Sequence, residues 1–148
     1  MILNDAGKMV EKWYFELMNK FHDIQCDKYI IMPNHIHFII INVGADLRVC
    51  PIRVCPSEPG EHMGLGEHTG LGEHTGSPLR DVVRWFKTMT TNEYIRNVKN
   101  NGWKPFNGKL WQRNYYEHII RDDEKLNSIR EYIINNPINW QFDENYMQ

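Results

Sequence analysis

"MPNHIHFIII" (Met32–Ile41) places two histidines, one residue apart, inside an otherwise apolar run. Strict alternation puts His35, His37, Ile39 and Ile41 on one face of a strand and Ile36, Phe38 and Ile40 on the other. The preceding "KYIIM" (Lys28–Met32) reads as a partner strand, with Pro33 and Asn34 as the turn between them. This hairpin decides the fold, because it commits the centre of the chain to an antiparallel sheet. It also aims two imidazoles the same way, about 6.5–7 Å apart along the strand. Such a pair suits a divalent metal, which neutral imidazole binds through either ring nitrogen. The plainer reading is a pair of surface histidines on a strand.

On the N-terminal side, Asn4 or Asp5 can cap a helix over residues 5–21 or so, with Val10, Trp13, Leu17 and Phe21 at helical spacing. C-terminally, Leu79, Val82, Val83, Phe86 and Met89 predict a second amphipathic helix reaching about Val98. Its polar side carries Arg80, Arg84, Lys87, Arg96 and Lys99. "NNGWKPFNG" (Asn100–Gly108) is a turn-rich connection, and "LWQRNYYEHIIR" (Leu110–Arg121) reads as extended. Asp122 or Asp123 caps a last helix with Leu126, Ile129 and Ile133 on its core face, which Pro137 should end. Helices and strands in this order give an α+β class.

The 148 residues suit one domain carrying one insert. Hydrophobic content of 41% and charged content of 24% are ordinary for a globular chain. A formal net charge of −2 rules out a global basic field, so nucleic acid would have to be met by local patches. No apolar run is long enough to span a bilayer, and "MILNDAGKMV" has no signal-peptide character. Cys26, Cys50 and Cys55 make no even framework, so reduced thiols in a cytoplasm are expected.

The insert is expected at about residues 45–77. "RVCPIRVCP" repeats a five-residue unit and "GLGEHTGLGEHTG" a six-residue one, and apolar periodicity vanishes between them. The composition predicts a flexible low-complexity segment. His62, His68 and His74 are evenly spaced, as duplication of a short peptide makes them with no metal involved. Cys50 and Cys55 are likewise two copies of one repeat and not a Cys-x-x-Cys pair.

On the last helix, Ser128, Tyr132 and Asn136 recur at i, i+4 and i+8 beside the core stripe. A half-buried tyrosine with a capping asparagine explains this pattern as well as chemistry does. The chemical alternative is a tyrosine nucleophile with an amide oxygen completing a metal shell. A free phenol ionises near pH 10, at about the model-peptide value, so it would need a metal to activate the phosphate it attacks.

Taken together, "MPNHIHFII", "WQRNYYEHIIR" and "REYIINNPINW" resemble the REP-associated tyrosine transposases, which belong to the HUH (His-hydrophobic-His) single-tyrosine class. The resemblance covers most of the chain outside the insert, with the three motifs in order. It implies a ferredoxin-like antiparallel sheet with helices packed on one face. It implies a transposase or endonuclease that nicks and joins single-stranded or hairpin DNA, using Mg²⁺ or Mn²⁺ and a 5′-phosphotyrosine intermediate. His35 and His37 match the HUH pair, Tyr132 the nucleophile, and Asn136 the third metal ligand.

Tyr115 and Tyr116 compete for the nucleophile role. With Trp111, Arg113 and Arg121 they could instead form a base-stacking and phosphate-contacting strip, extended by Arg84 and Lys87. Glu117 and His118 lie in the same stretch, where a structural hydrogen bond suits His118 as well as catalysis. Members of the resembled family usually begin with a further strand, so the chain looks N-terminally shortened. A sheet short of a strand exposes an edge that invites pairing between two copies, hence an expected homodimer. Two other classes stay open: an inactive DNA-hairpin-binding protein, and a zinc-binding regulatory domain using His35, His37 and cysteines.

Overall fold

A computed structural model describes residues 2–43, 48–54 and 77–139, with 48–54 and 138–139 described as backbone alone. The elements run α1 (Asp5–Lys20), β1 (Ile24–Ile31), β2 (Ile36–Asn42), β3 (Arg48–Val54), α2 (Leu79–Asn101), β4 (Tyr116–Glu117) and α3 (Asp123–Asn139). The fold is α+β, and its four strands form one antiparallel sheet in the order β1-β2-β3-β4.

The Asn4 side chain starts α1 by accepting from the Gly7 N–H at 2.8 Å. The helix buries Val10 and Leu17 as expected, but Tyr14 takes the buried place expected of Trp13, which is half-buried. The β1–β2 hairpin closes with Met32 N–H donating to the His35 carbonyl at 2.8 Å, so His35 sits at the exit of the turn and β2 proper begins at Ile36. Between Cys26 and Tyr29 the register shifts, leaving Asp27 and Lys28 opposite Ile39. This bulge turns the Asp27 carboxylate away from α1. The fully buried Tyr14 hydroxyl meets the bulge from below, donating to the carbonyl of Ile39 at 2.9 Å and lying 3.3 Å from that of Asp27.

The sheet corrects the expected extent of the insert. Arg48–Val54, inside the range read as flexible, is β3, and it pairs with β2 along its whole length from Ile36↔Val54 to Asn42↔Arg48. The tandem copies of Arg-Val-Cys-Pro hid it: β-branched residues were present, but the repeat and Pro51 masked the period. Proline fits a strand where one side is unpaired, and β4 pairs only with Ile52 and Arg53, stopping short of Pro51. The second edge of β2 is therefore covered. The remainder of the insert, with His62, His68, His74 and Cys55, lies outside the described residues.

The two ends of this excursion are pinned to the frame. Ser77 gives both its backbone N–H and its hydroxyl to the Asp23 carboxylate, the latter at 2.8 Å. Val43 N–H donates to the Asp23 carbonyl, and the Asn42 amide to the Ser77 carbonyl.

α2 extends to Asn101, past the expected Val98, and stops at Gly102, whose φ of 68° is left-handed. The extended segment expected over Leu110–Arg121 shrinks to Tyr116–Glu117 plus a bridge at Ile120. The cause is local. Lys87 Nζ takes the carbonyls of Gln112 at 2.9 Å and Asn114 at 3.2 Å, and Trp111 Nε1 donates to Thr90 on α2. These contacts bind the segment to α2 in place of a longer ladder.

Asp122 caps α3 by accepting from Lys125 N–H at 2.7 Å. The helix continues through Pro137 to Asn139, where an end at the proline was expected. So close to the C-terminus, proline forfeits a single helical hydrogen bond and the turn persists.

The helices cover both faces of the sheet, not one. α1 and α2 pack with Ile36, Phe38 and Ile40 in the main core, joined by Tyr14, Leu17, Val82, Val83 and Phe86. α3 packs on the opposite face, where Leu126 and Ile133 meet Ile39 and Ile120. β2 is apolar on both sides, so both sides demand cover.

Candidate metal and tyrosine site

His35 and His37 emerge on the α3 side of β2, 3% and 9% exposed. Their ring centroids lie 4.7 Å apart, edge to face, closer than the along-strand spacing because His35 leaves from the turn. The Nε2 atoms of both rings are buried. Asn34 Oδ1 sits 2.7 Å from His35 Nδ1. An amide oxygen can only accept, so Nδ1 carries the proton and, in the neutral ring, Nε2 keeps its lone pair.

α3 brings the third aromatic. The Tyr132 ring meets His37 edge to face at 5.5 Å between centroids and is 53% exposed. One turn later Asn136 is buried, 4% exposed. Ser128, expected on the same face, points to solvent. At 3.6 residues per turn the i, i+4, i+8 row rotates by about 80° between Ser128 and Asn136, which carries the asparagine into the row of Leu126, Ile129 and Ile133. The helix thus offers an accessible phenol and a sunken amide from adjacent turns.

An ion pair absent from the sequence reading holds α3 in place. Arg130 Nε and one terminal nitrogen both reach Asp27 Oδ2 at 2.7 Å. The bulge in β1 aims Asp27 at α3, and nothing local in the sequence couples two residues so far apart.

The chain is 32% identical over 150 residues to an uncharacterized protein of Haemophilus influenzae, the match covering 99% of this chain and 73% of that one. It belongs to the family of that Haemophilus protein. No model of a known protein family matches it, and no solved structure is a significant match.

In this member of the Haemophilus protein's family, the residues expected to touch nucleic acid are scattered. Trp111 belongs to the core: its ring packs 5.9 Å from Phe86 and its N–H is taken by Thr90. Lys87 is occupied with backbone carbonyls and lies 5.3 Å over the Tyr115 ring. Tyr115 packs against the α1/α2 core, whereas Tyr116 is 72% exposed on β4. Arg113, Arg121, Glu117 and His118 are exposed, and Arg84 pairs with Asp81 at 3.0 Å. The extended strip read from the sequence is thereby split, with Trp111, Tyr115 and Lys87 serving the fold.

Among the described residues no group of three or more His, Cys, Asp or Glu side chains is gathered to hold a metal. Cys26 packs with the α1/α2 core, across the sheet from the histidines. Burial pushes its thiol up to about 11, and its sulfur lies 3.2 Å from the Tyr14 carbonyl, so it stays a protonated core group. That removes Cys26 from the zinc-domain reading.

Proposed function

We propose that this chain is a metal-dependent REP-associated tyrosine transposase or single-strand DNA endonuclease of the HUH class. It nicks and joins single-stranded or hairpin DNA through a 5′-phosphotyrosine at Tyr132. One observation carries the reading: the contact of Tyr132 with His37, which unites a strand-borne histidine pair with a tyrosine on the last helix. The antiparallel sheet and the β1–β2 hairpin support it.

Two imidazoles and an amide oxygen are donor types that suit a divalent ion. His35 Nε2, His37 and the Asn136 amide would hold Mg²⁺ or Mn²⁺, leaving positions for water and phosphate oxygens. When bound, the ion supplies Lewis-acid polarisation of the phosphate. The Asn34 amide oxygen, 2.7 Å from His35 Nδ1, would orient that ring, and the exposed Tyr132 phenol is open to an incoming strand. The Tyr132 oxygen attacks phosphorus and loses its proton. The bond to the 3′ oxygen breaks, and that oxygen takes up a proton to leave as a 3′-OH. Attack by a 3′-OH on the phosphotyrosine reverses these changes and joins strands.

The test is covalent capture. Wild-type protein with labelled hairpin DNA and Mn²⁺ should give an adduct that survives denaturing electrophoresis. Tyr132→Phe keeps the ring and should abolish the adduct while binding persists. Tyr115→Phe and Tyr116→Phe should still form it. A mobility shift with no adduct in the wild type would assign the chain instead to an inactive DNA-hairpin-binding protein.

A further inference from the structure

Between Glu93 and Glu117 the chain carries no acidic residue, yet that stretch holds Arg96, Lys99, Lys104, Lys109 and Arg113, in a chain whose formal net charge is −2. All five are exposed. Their backbone is held in shape. Trp103 and Phe106 pack on Tyr94 at 5.1 and 5.5 Å between centroids, and the Tyr94 hydroxyl donates to the Lys104 carbonyl at 2.9 Å. Lys87 anchors the far end at Gln112. Cations on a fixed backbone lose less freedom on binding than cations on a loose one.

The stretch also turns a corner. Trp103, Trp111 and Tyr115 pack with the α1/α2 core, while Ile120 packs with α3 on the other face. The chain therefore passes from one face of the sheet to the other around β4, the last strand in the order, where Tyr116 presents an open ring. A run of exposed cations with no acid in the segment between Glu93 and Glu117 complements a polyanion. An exposed aromatic at the corner adds a stacking platform that bases use and an acidic peptide does not need.

We infer that the Arg96–Arg113 stretch is a docking track for the backbone of single-stranded DNA, leading it around the β4 edge to the His35/His37/Tyr132 face. The destination of the strand rests on the proposed function; binding along the track does not require cleavage.

The experiment reads binding alone. Fluorescence anisotropy of a labelled single-stranded oligonucleotide with the full chain, metal chelated, is measured over a salt series. The variant Arg96→Gln/Lys99→Gln/Lys104→Gln/Lys109→Gln should bind about tenfold or more weakly near 0.1 M salt, with the slope of log affinity against log salt reduced by about 2–3. Lys104→Glu alone, in an exposed loop, should weaken binding in the same direction and guards against a folding defect. Lys20→Gln/Lys28→Gln, elsewhere on the surface, should match the wild type. Affinity and salt slope unchanged in the fourfold variant would overturn the track. So would release of the oligonucleotide by poly-glutamate at equal charge concentration, which would assign the surface to acidic protein segments. Failure of adduct formation with these binding results intact would count against the proposed function and leave the track standing.

Discussion

The Tyr14 hydroxyl donates to the Ile39 carbonyl at 2.9 Å, while the Ile39 side chain packs into the α3 cluster on the other side of the sheet. Ile39 thereby ties both layers together at the bulge. Tyr14→Phe keeps the ring contacts and strands a buried carbonyl, so it should cost about 1–2 kcal/mol. Urea unfolding monitored by circular dichroism checks this, and a midpoint equal to wild type would deny the bond its role.

Arg130 and Asp27 form the polar dock for α3, both arginine nitrogens converging on one carboxylate oxygen. Arg130→Ala leaves a largely buried carboxylate without its cation and should lower stability by about 1–3 kcal/mol. Arg130→Lys should recover only part, because one ammonium replaces two fixed donors. Chemical denaturation of the three proteins side by side measures the order.

His35 and His37 lie outside the main core, against α3. His35→Ala or His37→Ala should leave the far-UV circular dichroism native, at a cost of roughly 1–2 kcal/mol each. Titration with Mn²⁺ followed by electron paramagnetic resonance should show binding in the wild type and its loss in either variant. Collapse of the spectrum on either substitution would mark the rings as structural.

Asp23 gives an acid-side signature. Burial raises its carboxyl, but the backbone and side-chain hydrogen bonds from Ser77 outweigh this and hold it below the usual 3.8. A lowered folded-state pKa contributes stability above the ordinary carboxylate value and loses it as pH falls through the folded one. Wild type should therefore be more stable than Asp23→Asn at neutral pH, with the gap closing as the medium becomes more acid than the ordinary carboxylate pKa. Thermal midpoints across an acid series test it.

The hairpin, α1, α2 and α3 were legible because their apolar residues recur at clean periods and Asn4 and Asp122 cap as their types predict. β3 was not: a strand written in tandem repeats with an internal proline has the composition of a linker, and only pairing with β2 reveals it. The second helical layer was also hidden, since the alternation of β2 gives the strand two faces without saying that both are covered. His35, His37, Tyr132 and Asn136 were all visible as residues, and the structure sets Tyr132 against His37. Asn34 escaped because its type and place read as a turn residue, and the Asp27–Arg130 pair because partners that far apart in sequence leave no local pattern.

Among the described residues, α3 rests on its face through its buried Leu126 and Ile133, which meet Ile39 and Ile120, and through one ion pair, whereas the histidine-bearing strand is embedded in the large core beneath. The two halves of the candidate site therefore stand on foundations of unequal depth. Warming or mild denaturant should part tyrosine from histidines while the sheet still stands, so the arrangement comes undone before the protein does, and reassembles by redocking a single helix.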